Sequence, residues 1–269
     1  MQVTKGSPDR VVFDSIGDLA EFYSSKEGQH IAPKYVDNGS KHGGEAFYGS
    51  PPNPEEFLKT GWHDSKVEQL AARAAACLKS HAELVQSPQI TLTEHVAGAM
   101  VNIPAYLAGD PSYMFMPEME MVPKTHPVVT IVVSGCVSAG LSNAAIERRG
   151  IYALALVRAC QTLGYSVDLW HEWKTEPTSV KTHIMRPGDV ISDAQIIACL
   201  VHRSWTRHFP FTAAEHISPN KKWNRSPMPA SADAYPEGTI ITNTAPGTDD
   251  EMAEMVKQSL IDAGVLHFD

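Results

Sequence analysis

Residues 126 to 173 read HPVVTIVVSGCVSAGLSNAAIERRGIYALALVRACQTLGYSVDLWHEW. The β-branched run Pro127 to Val133 has the composition of a buried strand. A small-residue loop, Ser134 to Ser142, follows it. Asn143 to Leu163 is apolar nearly all round and long enough for about six helical turns. Gly164 stops that helix, and a second strand opens near Ser166. The stretch is a strand–helix–strand unit, which implies a parallel pair of strands. Gly150 sits inside the helix, where glycine costs about 1 kcal/mol, so a close backbone approach is expected there.

Working outward, the later chain keeps alternating. Val180 to Met185 reads as a strand. Asp193 to His208 reads as a helix opened by the Ser192/Gln195 capping pattern and closed before Pro210. Thr239 to Asn243 is a buried strand, and Asp249 to Ala263 is a helix capped by Thr248 with Glu251. Val265 to Phe268 could add an edge strand. The expected fold is α/β, a mostly parallel sheet with helices on both faces. An irregular α+β amino-terminal extension precedes it, with the boundary near residue 122: residues 1–122 form the extension and 123–269 the α/β domain.

Within the extension, Val11 to Phe13 form a short strand or docking segment. Ile16 to Tyr23 and Ser65 to Leu84 are amphipathic helices, and residues 24–54 are a long loop by composition. Thr91 to Met121 breaks into short strands and turns, with a helical turn at Pro104 to Ala108. Met114, Met116, Met119 and Met121 crowd there; they fill an adaptable core or, in the sharper reading, form a plastic partner-binding face.

Composition narrows the function. A formal charge of −9 repels nucleic acid at long range, so direct nucleic-acid binding is not expected. The basic cluster Lys221, Lys222 and Arg225 around Trp223 reads as a solvated loop. No apolar run reaches membrane-spanning length and the start lacks a signal-peptide core, so a cytoplasmic protein is expected. Cys77, Cys136, Cys160 and Cys199 form no C-x-x-C pair and read as reduced thiols.

The G-x-G-x-x-G fingerprint, the P-loop and G-x-S-x-G are all missing from the 134–142 loop. Ser134-Gly135-Cys136-Val137-Ser138 instead resembles the D-x-S-x-S metal loop of von Willebrand factor A-like domains. In it Ser134 replaces the aspartate and Cys136 the first serine. The family's later aspartate falls near Asn243. The resemblance covers residues 126 to 269 and implies a Rossmann-like domain with a degenerate metal site. Mg²⁺ is the ion such a loop takes, and it favours carboxylate oxygen, which Ser134, Cys136 and Asn243 do not supply. No metal or other cofactor is therefore expected. The whole chain also resembles an uncharacterised tailed-phage protein family in which phrases like VAGAMVNIPAYLAGDP and LGYSVDLW recur.

The first functional reading is a non-enzymatic protein-interaction module, phage-encoded, binding a host or phage protein. Its expected face is the loop end of the sheet: Ser134, Cys136, Ser138, Asn243, Thr244, Thr248, Asp249 and Asp250. An alternative is an enzyme acting on a small anionic substrate at the carboxyl ends of the strands. Cys136 would be its nucleophile and Arg203 and Arg207 its anion contacts. A second alternative is a structural or nucleic-acid-associated phage component.

Overall fold

The computed structural model describes residues 1–6, 9–31, 48–49, 51, 53–79, 91–98, 100–118, 127–135, 141–176, 178–218, 228–230 and 234–266. They form two compact units, Met1–Ala82 with Pro127–Asp269, and Glu83–His126.

The strand–helix–strand unit is present in the first. Strand β6 (Val128–Ser134) and strand β7 (Ser166–Thr175) pair in parallel from Val128↔Ser166 to Ser134↔Glu172. Helix α6 (Asn143–Thr162) connects them. Ser142 caps the helix by accepting the Ala145 N–H, and Gly164 leaves it at φ +82°. Helix α7 (Asp193–Val201) crosses α6 at Gly150. A Cβ on Gly150 would lie 2.7 Å from Val201 Cα, so the glycine is there for backbone approach.

Among the described residues six strands make the sheet, in the order β1-β2-β8-β7-β6-β9. Strand β9 (Ile240–Thr242) runs parallel to β6. Strand β8 (Thr178–Met185) is antiparallel to β7, because the two residues between them are too few for a crossover helix. Strand β2 (Asp9–Phe13) runs parallel to β8, and β1 (Gln2–Thr4) closes the edge antiparallel to β2. Three of the five pairings are parallel, so the sheet is mostly parallel but mixed.

Two expectations change. The first 82 residues are no extension, since β1 and β2 belong to the central sheet. Helix α1 (Ile16–Ser24) and the short α2 (Lys26–Ile31) also sit in this unit. Tyr23 Oη of α1 lies 2.9 Å from Thr212 Oγ1 on helix α9 (Phe209–Ile217). Among the described residues the helices also do not flank the sheet. The cross-strand set Phe13, Thr182, His171, Val133 and Thr242 faces one side. Phe22 of α1 meets Phe13, Trp205 of α8 (Ser204–Arg207) meets His171, and Phe211 of α9 meets Trp173, all on that same side. The other side carries Arg10, Asp168, Trp170, Glu172, Lys174, Lys181 and His183. That polar face is itself covered in part: Glu172 and Ser179 on it are buried. Tyr235 comes across that polar face, with its hydroxyl donating to Glu172 Oε2 at 3.1 Å and Lys181 Nζ 4.1 Å from its ring centre. Among the described residues, the helices expected on both faces thus form a layer on one face.

The single helix expected over 193–208 is two pieces, α7 and α8, and α9 follows directly at Phe209. Helix α7 ends at His202, and Pro210 lies in the first turn of α9, where its missing N–H costs nothing. Helices α3 (Pro54–Thr60), α4 (Lys66–Lys79) and α10 (Asp249–Asp262) complete the layer. Val265 and Leu266 are not in a strand, and residues 267–269 lie outside the described set, as does the basic cluster at 221–225. Among the described residues no helix is long and apolar enough to cross a membrane.

The second unit is a three-stranded antiparallel sheet, β3-β5-β4: Thr91–His95, Met114–Glu118 and Met100–Val101. The helical turn α5 (Ile103–Leu107) is capped by Asn102, whose side chain accepts the Ala105 N–H.

Candidate functional site

Of the residues expected at the loop end of the sheet, Ser134 and Asn243 follow the paired Val133 and Thr242 on the parallel strands β6 and β9. Ser134, last residue of β6, is buried, and its neighbour in register is Glu172. Cys136 and Ser138 lie outside the described residues. Asn243 and Thr244 are exposed just past β9. Thr248 works as a helix cap: its Oγ1 accepts the Glu251 N–H at 3.1 Å, and Glu251 Oε2 accepts the Gly247 N–H at 2.6 Å. Asp249 is 2.7 Å from Arg73 Nη2 on α4, and Asp250 is exposed in the same first turn. Acids at a helix N-terminus are explained by the macrodipole. Among the described residues no three His, Cys, Asp or Glu side chains are grouped to hold a metal. Cys77, Cys160 and Cys199 are buried free thiols, and burial pushes Cys77 up to about 11 and Cys160 to about 12.

Arg207 is buried and ties down the lead into α6, donating to the Leu141 carbonyl at 2.8 Å and to Asn143 Oδ1 at 3.5 Å. Arg203 lies instead on a cavity of about 200 Å³ between α4, α6 and α7, together with Trp62, Lys66 and His202. Asn143, Glu147 and Val201 complete the lining. Backbone geometry sets this place up. Gly61 ends α3 at φ +96°, and the Trp62 N–H then donates to the Ala194 carbonyl of α7 at 3.0 Å. Lys66 of α4 is ion-paired with Glu147 of α6. His202 caps α7 and stacks edgewise with Trp62, ring centres 4.8 Å apart. Its Nδ1 accepts the Ser204 N–H at 3.3 Å and lies 2.8 Å from Ser204 Oγ. Burial, with Arg203 and Lys66 adding to it, brings its pKa down to about 4. The ring is therefore neutral at pH 7 and carries its proton on Nε2.

The second unit shows something different. Among its residues whose burial is described, none is buried. Ile103, Tyr106 and Leu107 of α5, at spacing i, i+3, i+4, form one apolar helix face. They are 64%, 58% and 78% exposed. Val96, Met100 and Val101 are exposed beside them in sequence. Met114 is half-buried, Met116 has no described side chain, and Met119 and Met121 lie outside the described residues. The i, i+3, i+4 spacing of Ile103, Tyr106 and Leu107 was visible in the sequence, but without a polar opposite face it does not say which way the turn points.

The fold and these surfaces define a mixed α/β protein with helices on one face of its sheet and a small, apolar-surfaced β unit inserted in it. The chain belongs to the family described as domain of unknown function DUF7192, whose model matches residues 6–267. No curated protein and no solved structure matches it.

Proposed function

We propose that the protein is a non-enzymatic protein-interaction module whose contact surface is the Glu83–His126 unit rather than the loop end of the sheet. The observation that carries this is the exposed helix face Ile103, Tyr106 and Leu107 on a unit with no buried residue among those described. A β unit of this size needs a covered apolar face to gain stability, and a partner is the means of covering it. Each such side chain is worth about 1.5–3 kcal/mol when fully removed from water. A contiguous apolar patch on a surface is an interaction signature.

The occupant is a different protein with an apolar segment flanked by Lys or Arg. Residues 83–126 carry five acids (Glu83, Glu94, Asp110, Glu118, Glu120) against Lys124, a formal charge of −4 with histidine neutral. Two copies of this unit would repel each other, whereas a basic partner is steered towards it. The likeness to tailed-phage proteins makes that partner a phage or host protein.

A photo-crosslinking residue at position 107, in cells carrying the partner, should capture one protein at a basic, apolar segment. Titration of that purified protein should then show binding that weakens with salt and falls at least about tenfold in Leu107→Glu. Unchanged affinity in Leu107→Glu would remove this face from the proposal. A homodimer lost in Leu107→Glu would show that a second copy is the occupant and overturn the hetero-partner reading.

A further inference from the structure

We propose that the protein binds phosphate, free or as the end of a small molecule, at the carboxyl end of β6, independently of the interaction surface above. The topology puts a ligand position there. Strand β6 leads through α6 to β7 on one side, and the chain returns to its other side as β9, with both neighbours parallel to it. Open α/β sheets bind ligands at the carboxyl ends of their strands, where the strand order reverses. Two side chains at that end need a partner. His171 of β7 and Trp205 of α8 are 2% and 1% exposed, with ring centres 5.5 Å apart. His171 Nε2 and Trp205 Nε1 have no hydrogen-bond partner among the described residues. Buried polar atoms are normally satisfied, by protein, water or ligand, and an indole N–H can only donate, so what fills the place presents an acceptor.

Gly135, the first residue after β6, leaves that place open. A Cβ on it would fall on the edge of the His171 ring, 3.2 Å from Nδ1 and closer to Nε2. Nε2 is thus aimed at the point where the chain leaves the sheet for α6. Burial, with the charge of Arg149 adding to it, brings His171 down to about 3, so the ring is neutral and its one proton can sit on Nε2. The start of α6 lies at the same end. Arg207 of α8 donates to the Leu141 carbonyl and to Asn143 Oδ1, which fixes α8, and Trp205 with it, against the lead into α6. The first N–H groups of a helix have no partner within it, and the 20 residues of α6 align their dipoles with the positive end there. The preference for an anion rests on this helix end and on the two buried donors, since Arg207 is already committed. Phosphate is the anion that helix N-termini hold most readily. Glu172, next to His171 in sequence, turns to the other face of the sheet, where it accepts from Tyr235.

The test follows the Trp205 indole N–H resonance of the ¹⁵N-labelled full chain, assigned through bonds, at an ionic strength held constant with sodium chloride. Inorganic phosphate and methyl phosphate should each move it saturably and downfield, as a new hydrogen bond does, and acetate should act only weakly. The tighter of the two phosphates tells free phosphate from a phosphomonoester. His171→Phe keeps the ring without its nitrogens and should weaken phosphate by about tenfold, the worth of one charged hydrogen bond. If His171→Phe fails to fold, His171→Gln keeps a donor near the position of Nε2 and should bind more nearly as the parent does. A Trp205 resonance unmoved at high concentrations of both phosphates means an internal water only and overturns the site. Tighter binding of acetate overturns the phosphate assignment, and full phosphate affinity in folded His171→Phe overturns the placement beside His171.

Discussion

Gly150 has no room for a methyl group, because α7 passes with Val201 Cα 2.7 Å from where a Cβ would stand. Gly150→Ala should therefore cost about 1–3 kcal/mol, read as a shift in urea midpoint at unchanged slope. Histidine chemistry gives a second test at this scale. Burial lowers His171 to about 3 and His202 and His208 to about 4, with Arg149 adding to the effect at His171. Unfolded, each titrates near 6.5. Between those values the unfolded chain holds protons the folded one refuses, so stability rises with pH and is lost as pH falls below about 6.5. Each histidine contributes a slope of up to about 1.4 kcal/mol per pH unit across that window. Urea unfolding at pH 6.5 and 5 should show the loss, before most carboxylates titrate. His208→Gln should flatten the slope by about a third, and an unchanged slope would mean that His208 is not buried in its neutral form.

Among the elements, the helix caps and the parallel pairing of β6 with β7 were legible from spacing. Ser142, Ser192 and Thr248 each accept the N–H three residues on, as short local bonds must. Gln195, however, does not close a reciprocal box: its Nε2 donates to the Lys59 carbonyl at the end of α3, 2.6 Å away. Thr248→Ala should cost about 1 kcal/mol of stability through the lost cap. Partner binding should be untouched, since Thr248 caps α10 and lies outside the proposed surface. Loss of binding without loss of stability would return the loop end of the sheet to the interaction face. The antiparallel turn from β7 to β8 was readable from its two-residue connection. So was the polar face of β7, from the alternation Asp168, Trp170, Glu172, Lys174 against Val167, Leu169, His171, Trp173. Length and hydrophobicity drew attention away from that period-two signal.

For the whole molecule, the division into two units gives a direct test. Replacing residues 83–126 by a flexible glycine-serine linker should leave cooperative unfolding of the remaining unit intact and abolish partner binding. Retained binding would move the surface onto the larger unit. The degenerate 134–138 loop gives another: melting temperature should be the same in excess EDTA and in excess Mg²⁺. Binding to the native state alone would raise it by mass action.

Elements came from the sequence because their causes are local. Strand propensity, helical period, a capping hydroxyl and a stopping glycine act within a few residues of one another, and β6, α6, β7 and α10 appear where those signals stand. What came from tertiary packing is everything that joins distant residues. Val11 and Phe13 are a short apolar run until β8 offers its edge, and then they are fully buried core. Arg203 and Arg207 look alike on paper, four residues apart. Arg207 ties down Leu141 while Arg203 lines a cavity with Trp62, a difference that only the packing of distant segments makes. Ile103, Tyr106 and Leu107 are equally apolar whether buried or bare, and only the packing among the described residues leaves them exposed.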